Sequence, residues 1–182
     1  MVQAAALPEV FATAYLNLYM EGALQTTEKA IVHAGASGVG TAAIQLLKQS
    51  GNPVFVTVGS DEKLRSCVEL GADTGSVRHQ GSFAEAATAW AGEQGVDVIL
   101  DPVGGLYLAD NLHVLGLGGR LVLIGLMGGA VTEANLALLM LKRARVIGST
   151  LRARPIGEKA AVMDALQRNV WPDIERGAIR PI

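Results

Sequence analysis

Three observations predict a doubly wound α/β fold, with a six-stranded parallel sheet in the order 3-2-1-4-5-6 and helices on both faces. Short apolar runs alternate along the chain with segments of helical periodicity, which implies parallel strands joined by right-handed crossovers. The stretch IVHAGASGVGTAAIQLLKQS, residues 31–50, passes from an apolar run through a glycine turn into a helix. Half of the residues are hydrophobic (50%) and 22 are glycine, so helices can lie close on a sheet. The length of 182 residues suits one domain with a sizeable core.

The elements follow in order. Leu7, Val10, Phe11, Ala14, Leu16 and Leu18 recur at helical spacing and predict a helix over residues 4–20, with Pro8 in its first turn. Thr13 and Asn17 are four apart and share one face of it, either toward a ligand or toward solvent. Ala30-Ile31-Val32 reads as a buried strand. In the turn Gly35-Ala36-Ser37-Gly38-Val39-Gly40, Gly35 is expected to allow the sharp bend, Gly38 a close approach to phosphate, and Gly40 close helix packing. Ser37 could add a hydroxyl donor. Gly51-Asn52-Pro53 turns the chain into the second strand, residues 54–58. Ser60 caps a helix over residues 61–70, which Gly71 closes, and a weak third strand covers residues 74–77. Ser82 caps a helix to Gly92. The fourth strand is residues 96–100, followed by Asp101-Pro102-Val103-Gly104-Gly105 and a helix over residues 107–115. Strand five spans residues 120–125, a short helix residues 135–141, and strand six residues 145–150. One helix is expected within residues 155–176.

Composition narrows the function. A net charge of −2 and a pI near 5.9, without a basic patch, argue against a nucleic-acid partner. The single cysteine, Cys67, excludes an internal disulfide framework. The three histidines, His33, His79 and His113, lie far apart, so no metal is expected. No signal segment or long apolar run is visible, and the chain reads as a cytoplasmic protein without membrane contact.

Strand, glycine turn and helix together describe a dinucleotide site, with the pyrophosphate on the helix N-terminus. The tip of the second strand, Val58-Gly59-Ser60, lacks the acid that an NAD site places there. Ser60 and Lys63, one turn apart, suit a 2′-phosphate and favour NADPH. Asp61 and Glu62 leave a ribose contact open. Arg78, past the third strand, would stack on adenine, pair with the same phosphate, or stand in solvent.

Several motifs in order carry a family resemblance: Val32-His33-Ala34-Gly35-Ala36-Ser37-Gly38-Val39-Gly40, Gly59-Ser60 with Lys63, Leu70-Gly71-Ala72, Asp101-Pro102-Val103-Gly104-Gly105, Gly119-Arg120, and Gly125-Leu126-Met127-Gly128-Gly129. The chain resembles the quinone oxidoreductase, zeta-crystallin-like branch of the zinc-free medium-chain dehydrogenases/reductases, over nearly its whole length. The resemblance implies a Rossmann cofactor domain of an NADPH-dependent reductase acting on quinones or enones. It implies Thr13 near the nicotinamide, Gly38, Val39 and Gly40 at the pyrophosphate, and Ser60 and Lys63 at the 2′-phosphate. It further implies Val103 and Gly104 at the nicotinamide ribose, and Gly125, Leu126 and Met127 at the carboxamide. Arg78 departs from a frequent tyrosine.

Relatives of this type add a GroES-like domain before the equivalent of residue 1 and a return segment after Ile182. The chain is therefore expected to be an isolated cofactor domain, inactive or weakly active alone. No side chain is a convincing catalytic acid, since Tyr107 and His113 qualify only by type. A non-catalytic NADPH-binding sensor or structural module is the alternative; a methyltransferase is disfavoured by Ser60 with Lys63. The resemblance also implies a homodimer through the edge strand at residues 145–150, unless the C-terminal segment covers that edge.

Overall fold

A computed structural model describes residues 5–182. Residue 4, the start of the expected opening helix, lies outside the described residues.

The chain runs α1 (Pro8–Tyr15), β1 (Ala30–Val32), α2 (Gly38–Ser50), β2 (Val54–Val58), α3 (Asp61–Leu70), β3 (Thr74–Val77), α4 (Phe83–Ala91) and β4 (Val96–Asp101). It continues through α5 (Leu108–Val114), β5 (Leu115–Leu123), α6 (Leu136–Leu141), β6 (Arg145–Gly148), α7 (Ile156–Asn169) and α8 (Trp171–Glu175). The six strands pair in the order β3-β2-β1-β4-β5-β6, all parallel, as the sequence predicts. Because β1 lies between β2 and β4, the crossovers leave it and β4 in opposite directions. A crevice opens between them at the carboxyl ends of the strands.

Side chains alternate across the sheet and build a core on each face. Val32, Val54, Val56, Val98 and Leu100 pack with Phe11 of α1, Leu47 of α2 and Leu166 of α7. Ile31, Phe55, Ile99 and Leu121 pack with Phe83 and Ala87 of α4 and Leu112 of α5. Burying one such side chain contributes roughly 1.5–3 kcal/mol.

Several expectations are corrected. The opening helix turns from α to π geometry over Leu16–Glu21, with the Gly22 N–H reaching the Asn17 carbonyl. The tail holds two helices, because Val170 leaves helical geometry (φ −123°) and Pro172 starts a new first turn. Strand five is entered early: Leu115 pairs with Val96, residues 116–119 loop out, and Arg120 resumes pairing with Val98. It stops at Leu123 rather than Gly125, whose backbone lies against Pro102. Strand six stops at Gly148: the Ser149 N–H still reaches the Leu123 carbonyl, and Arg154 then holds the Ser149 hydroxyl and the Thr150 carbonyl past the end of the ladder.

Behind the glycine turn, Arg120 is almost wholly buried and donates to the Gly22 and Ala23 carbonyls and to both Glu28 oxygens. This ion pair ties the loop before β1 to the start of the paired part of β5. Burial raises the Glu28 pKa, but hydrogen bonds from Arg120 and the Gln25 N–H, with the arginine's charge, outweigh it and hold the carboxyl below its usual range.

The β6 edge of the sheet is unlike its centre. All of β2 is buried, whereas three of the four β6 residues are exposed. Helix α7 packs on α1, not over β6, so among the described residues the tail does not cover that edge.

Candidate functional site

The crevice contains a cleft of about 260 Å³, and six of the residues expected at the site line it: Ser37, Gly59, Lys63, Arg78, Val103 and Met127. Thr57 and Tyr107 line it as well. Nothing in the local sequence singles out Thr57, which reads as one more strand residue.

The loop after β1 is built for close approach. Its left-handed residue is Ala34 (φ 53°), not Gly35. Gly35 is required for another reason: a Cβ there would stand 2.8 Å from the Val56 Cβ. At Gly40 a Cβ would lie 2.5 Å from the Ala34 and Gly35 carbonyl oxygens, so only glycine lets α2 rest on the strand end. The Ser37 Oγ caps α2 by accepting the Gly40 N–H at 3.1 Å, and its own O–H stays available to donate. Among the described residues no partner meets the N–H groups of Gly38 and Val39, which open the helix at its positive end. Gly38 is tighter than expected, since a Cβ would stand 3.1 Å from Val10 of α1.

At the far wall, Ser60 caps α3 by accepting the Lys63 N–H at 3.3 Å. Lys63 is exposed and turned to the cleft, and Arg78 faces it from the end of β3, donating through Nε to His79 Nε2 at 3.1 Å. Asp61 and Glu62 do not line the cleft; the Asp61 carboxylate accepts from the Gln80 amide at 3.1 and 3.3 Å. The cleft wall is thus cationic and free of acids.

The other wall joins two loops. Met127 N–H donates to the Pro102 carbonyl, Gly128 N–H to Val103, Gly105 N–H to Gly129 and Leu106 N–H to Gly128. Gly104 (φ 80°) leaves no room for a side chain, since a Cβ would meet the Gly129 carbonyl at 3.0 Å and the Leu126 side chain at 2.9 Å. With the Met127 N–H committed to Pro102, the N–H groups offered by the expected carboxamide loop are those of Gly125 and Leu126. Thr13 lies outside the cleft on α1, with its hydroxyl 3.4 Å from the Glu9 carboxylate. Asn17 is buried and donates to the Thr13 carbonyl at 2.7 Å, which excludes the solvent-facing reading for it.

Beneath the cleft lies a polar cluster that sequence spacing does not reveal. His33 Nδ1 is 3.0 Å from Thr57 Oγ1 and its Nε2 is 2.7 Å from Asn111 Oδ1. Asn111 Nδ2 donates to Asp101 at 2.9 Å, and the other Asp101 oxygen accepts the N–H groups of Val103 and Gly104. Burial pushes the His33 pKa down, outweighing the opposing charge of Asp101 and the Asn111 hydrogen bond. Tyr107 stacks on His33 and Phe83, with ring centroids 4.8 Å apart in both pairs, and burial raises its pKa. His113 lines a different cavity, near Lys142, and takes no part in this cleft. Among the described residues no group of three or more His, Cys, Asp or Glu side chains could hold a metal ion, and no helix is long and apolar enough to cross a membrane.

A glycine turn on a free helix end, a cation past the second strand tip facing another at the end of β3, and a stitched wall after β4 and β5 together fit a dinucleotide carrying a third phosphate. The chain matches the zinc-binding dehydrogenase family over residues 38–168. It is 34% identical over 146 residues to quinone oxidoreductase-like protein 2 of Rattus norvegicus, covering 80% of this chain and 42% of that protein. It superimposes on the quinone oxidoreductase of Thermus thermophilus, a protein also solved in complex with NADPH, with TM-score 0.84 and 31% identity over 99% of this chain and 56% of that one. The CurK enoyl reductase aligns with TM-score 0.81 and 27% identity, over 99% of this chain and 53% of the other. The chain thus spans about half the length of these relatives.

Proposed function

The chain belongs to the zinc-binding dehydrogenase family as its C-terminal cofactor-binding domain, and from that premise we propose that it binds NADPH for hydride transfer to a quinone or enone acceptor. The observation that carries this reading is the pairing of Lys63 and Arg78 on an acid-free cleft wall. Each residue has a place in it. The N–H groups of Gly38 and Val39 and the Ser37 hydroxyl take the pyrophosphate. Ser60, Lys63 and Arg78 take the 2′-phosphate beside Gly59. Val103 and Gly104 border the nicotinamide ribose, and the backbone of Gly125, Leu126 and Met127 faces the carboxamide. Thr13, outside the cleft on α1, would have to turn from Glu9 to meet the nicotinamide. When bound, the cofactor supplies the hydride, and the protein supplies position and electrostatics. Gly40 and the stitched loops hold the walls rigid, which is what orientation at a reacting centre requires.

A second reading follows from the likeness to an enoyl reductase: the acceptor is the conjugated double bond of a thioester. A third, a non-catalytic NADPH sensor or structural module, keeps the same site without turnover. The full-length protein carrying this domain separates them. Loss of reduced-nicotinamide absorbance with benzoquinone supports the first reading. Turnover with an enoyl thioester alone supports the second, and NADPH binding without either supports the third.

The reading includes a homodimer formed by edge-to-edge pairing of β6. Val146 is 42% exposed there, and Leu136 and Met140 of the preceding helix α6 are exposed as well. A cytoplasmic location accords with one buried, unpaired cysteine.

A further inference from the structure

The buried cluster under the cleft has a proton arrangement fixed by chemistry alone. A carboxylate only accepts, so the Asn111 amide must turn its NH₂ to Asp101 and its oxygen to His33. His33 Nε2 therefore carries a hydrogen. In a neutral ring Nδ1 is then bare, and it accepts the Thr57 O–H. Thr57 Oγ1 in turn meets the Ala34 N–H at 3.4 Å. At the other end Asp101 accepts two N–H groups from the Val103–Gly104 turn. Thr57, His33, Asn111 and Asp101 are each at most 3% exposed, and the imidazole is wedged against Phe83 and Tyr107.

The two ends of this relay are the turns that leave β1 and β4. Those turns open the crossovers that diverge at the crevice, so one hydrogen-bonded chain ties both walls across its floor. Apolar side chains of similar volume would fill the same space without the desolvation cost of four polar groups. What the relay adds is a fixed distance between the turns. We propose that His33, Asn111 and Asp101 are positioning residues that hold the Ala34 turn and the Val103–Gly104 turn at the spacing a dinucleotide needs to lie across both. This inference rests on the cofactor reading above.

The test separates the two ends of the ligand. Adenosine 2′,5′-bisphosphate reaches the Ser60, Lys63 and Arg78 wall and the glycine turn but stops short of the Val103–Gly104 turn, whereas NADPH spans the crevice. With Asn111→Leu, the NADPH Kd should rise roughly tenfold, as expected for one buried hydrogen bond left unmade, while the bisphosphate Kd stays unchanged. His33→Phe should behave likewise. His33→Gln should restore affinity, because its amide offers a donor to Asn111 and an acceptor to Thr57. Nitrogen NMR of the wild-type ring, which requires no variant to fold, should show a protonated Nε2 and a bare Nδ1. An Nδ1–H ring, equal losses for both ligands, or unchanged NADPH affinity in Asn111→Leu would overturn the proposal. A wild-type protein that binds neither ligand would instead overturn the cofactor reading beneath it.

Discussion

The β1–β2–β3 half and the β5–β6 half of the sheet are built by the same βα rhythm and end differently. Every residue of β2 is buried, and α2 carries eight buried residues. By contrast α6 buries none, and its Leu136, Met140 and Leu141 are all at least 66% exposed. The first half closes its own core and leaves a polar crevice; the second leaves an apolar face. Where a fold exposes helix N-termini and cations it is made to take a small charged ligand. Where it exposes apolar side chains and an open strand edge, the proposed occupant is a second copy of the chain.

The largest expected effect falls in the first half. Gly40→Val would place side-chain atoms against two backbone carbonyls, which cannot swing aside. It should destabilise the domain by about 3 kcal/mol or more, read as a lowered denaturant midpoint. A midpoint within error of the wild type would show that α2 is not packed against the strand end as described.

The second half should respond in assembly instead. Ile147→Pro removes a ladder donor from β6. Sedimentation should then shift from dimer to monomer while near-native helix content is kept. A wild-type protein that is already monomeric at high micromolar concentration would count against edge pairing.

A smaller effect belongs to the relay. The His33 pKa is lowered by burial, so the unfolded chain takes up this proton more readily than the folded one. Its contribution is complete above 6.5, the ordinary histidine value, and declines as pH falls below it. The slope is at most about 1.4 kcal/mol per pH unit. Glu28, lowered from 4.5, adds a loss only below that pH. Thermal melts of the wild type and His33→Phe should diverge in slope just below pH 6.5; parallel slopes there would remove His33 as the cause.

How much of this is legible in the sequence depends on the range of the signal. β2, α3 and β3 stand where the sequence places them, because each boundary is marked by a neighbour: Asn52-Pro53, the Ser60 cap, Gly71. The parallel sheet follows from alternation and crossover handedness, whereas the order of its strands comes with the dinucleotide-binding motif and not with any spacing. The glycine turn is legible as a motif but not in its division of labour, since a left-handed alanine is set by tertiary packing against propensity. The loop at residues 116–119 answers to a register with β4, and no local pattern encodes it. The relay is the extreme case. His33 and Asn111 are 78 residues apart, and only the sheet order brings them together. Lys63 and Arg78 are legible because a strand tip is a predictable place for a phosphate.

The central claim is that the cationic wall reads a 2′-phosphate, and calorimetric titration of wild type and Lys63→Ala with NADPH and NADH tests it most directly. The account predicts tighter binding of NADPH by the wild type. Lys63→Ala should then lose about 1–3 kcal/mol toward NADPH and almost nothing toward NADH. Equal losses for the two cofactors, or a wild-type protein indifferent between them, would contradict it.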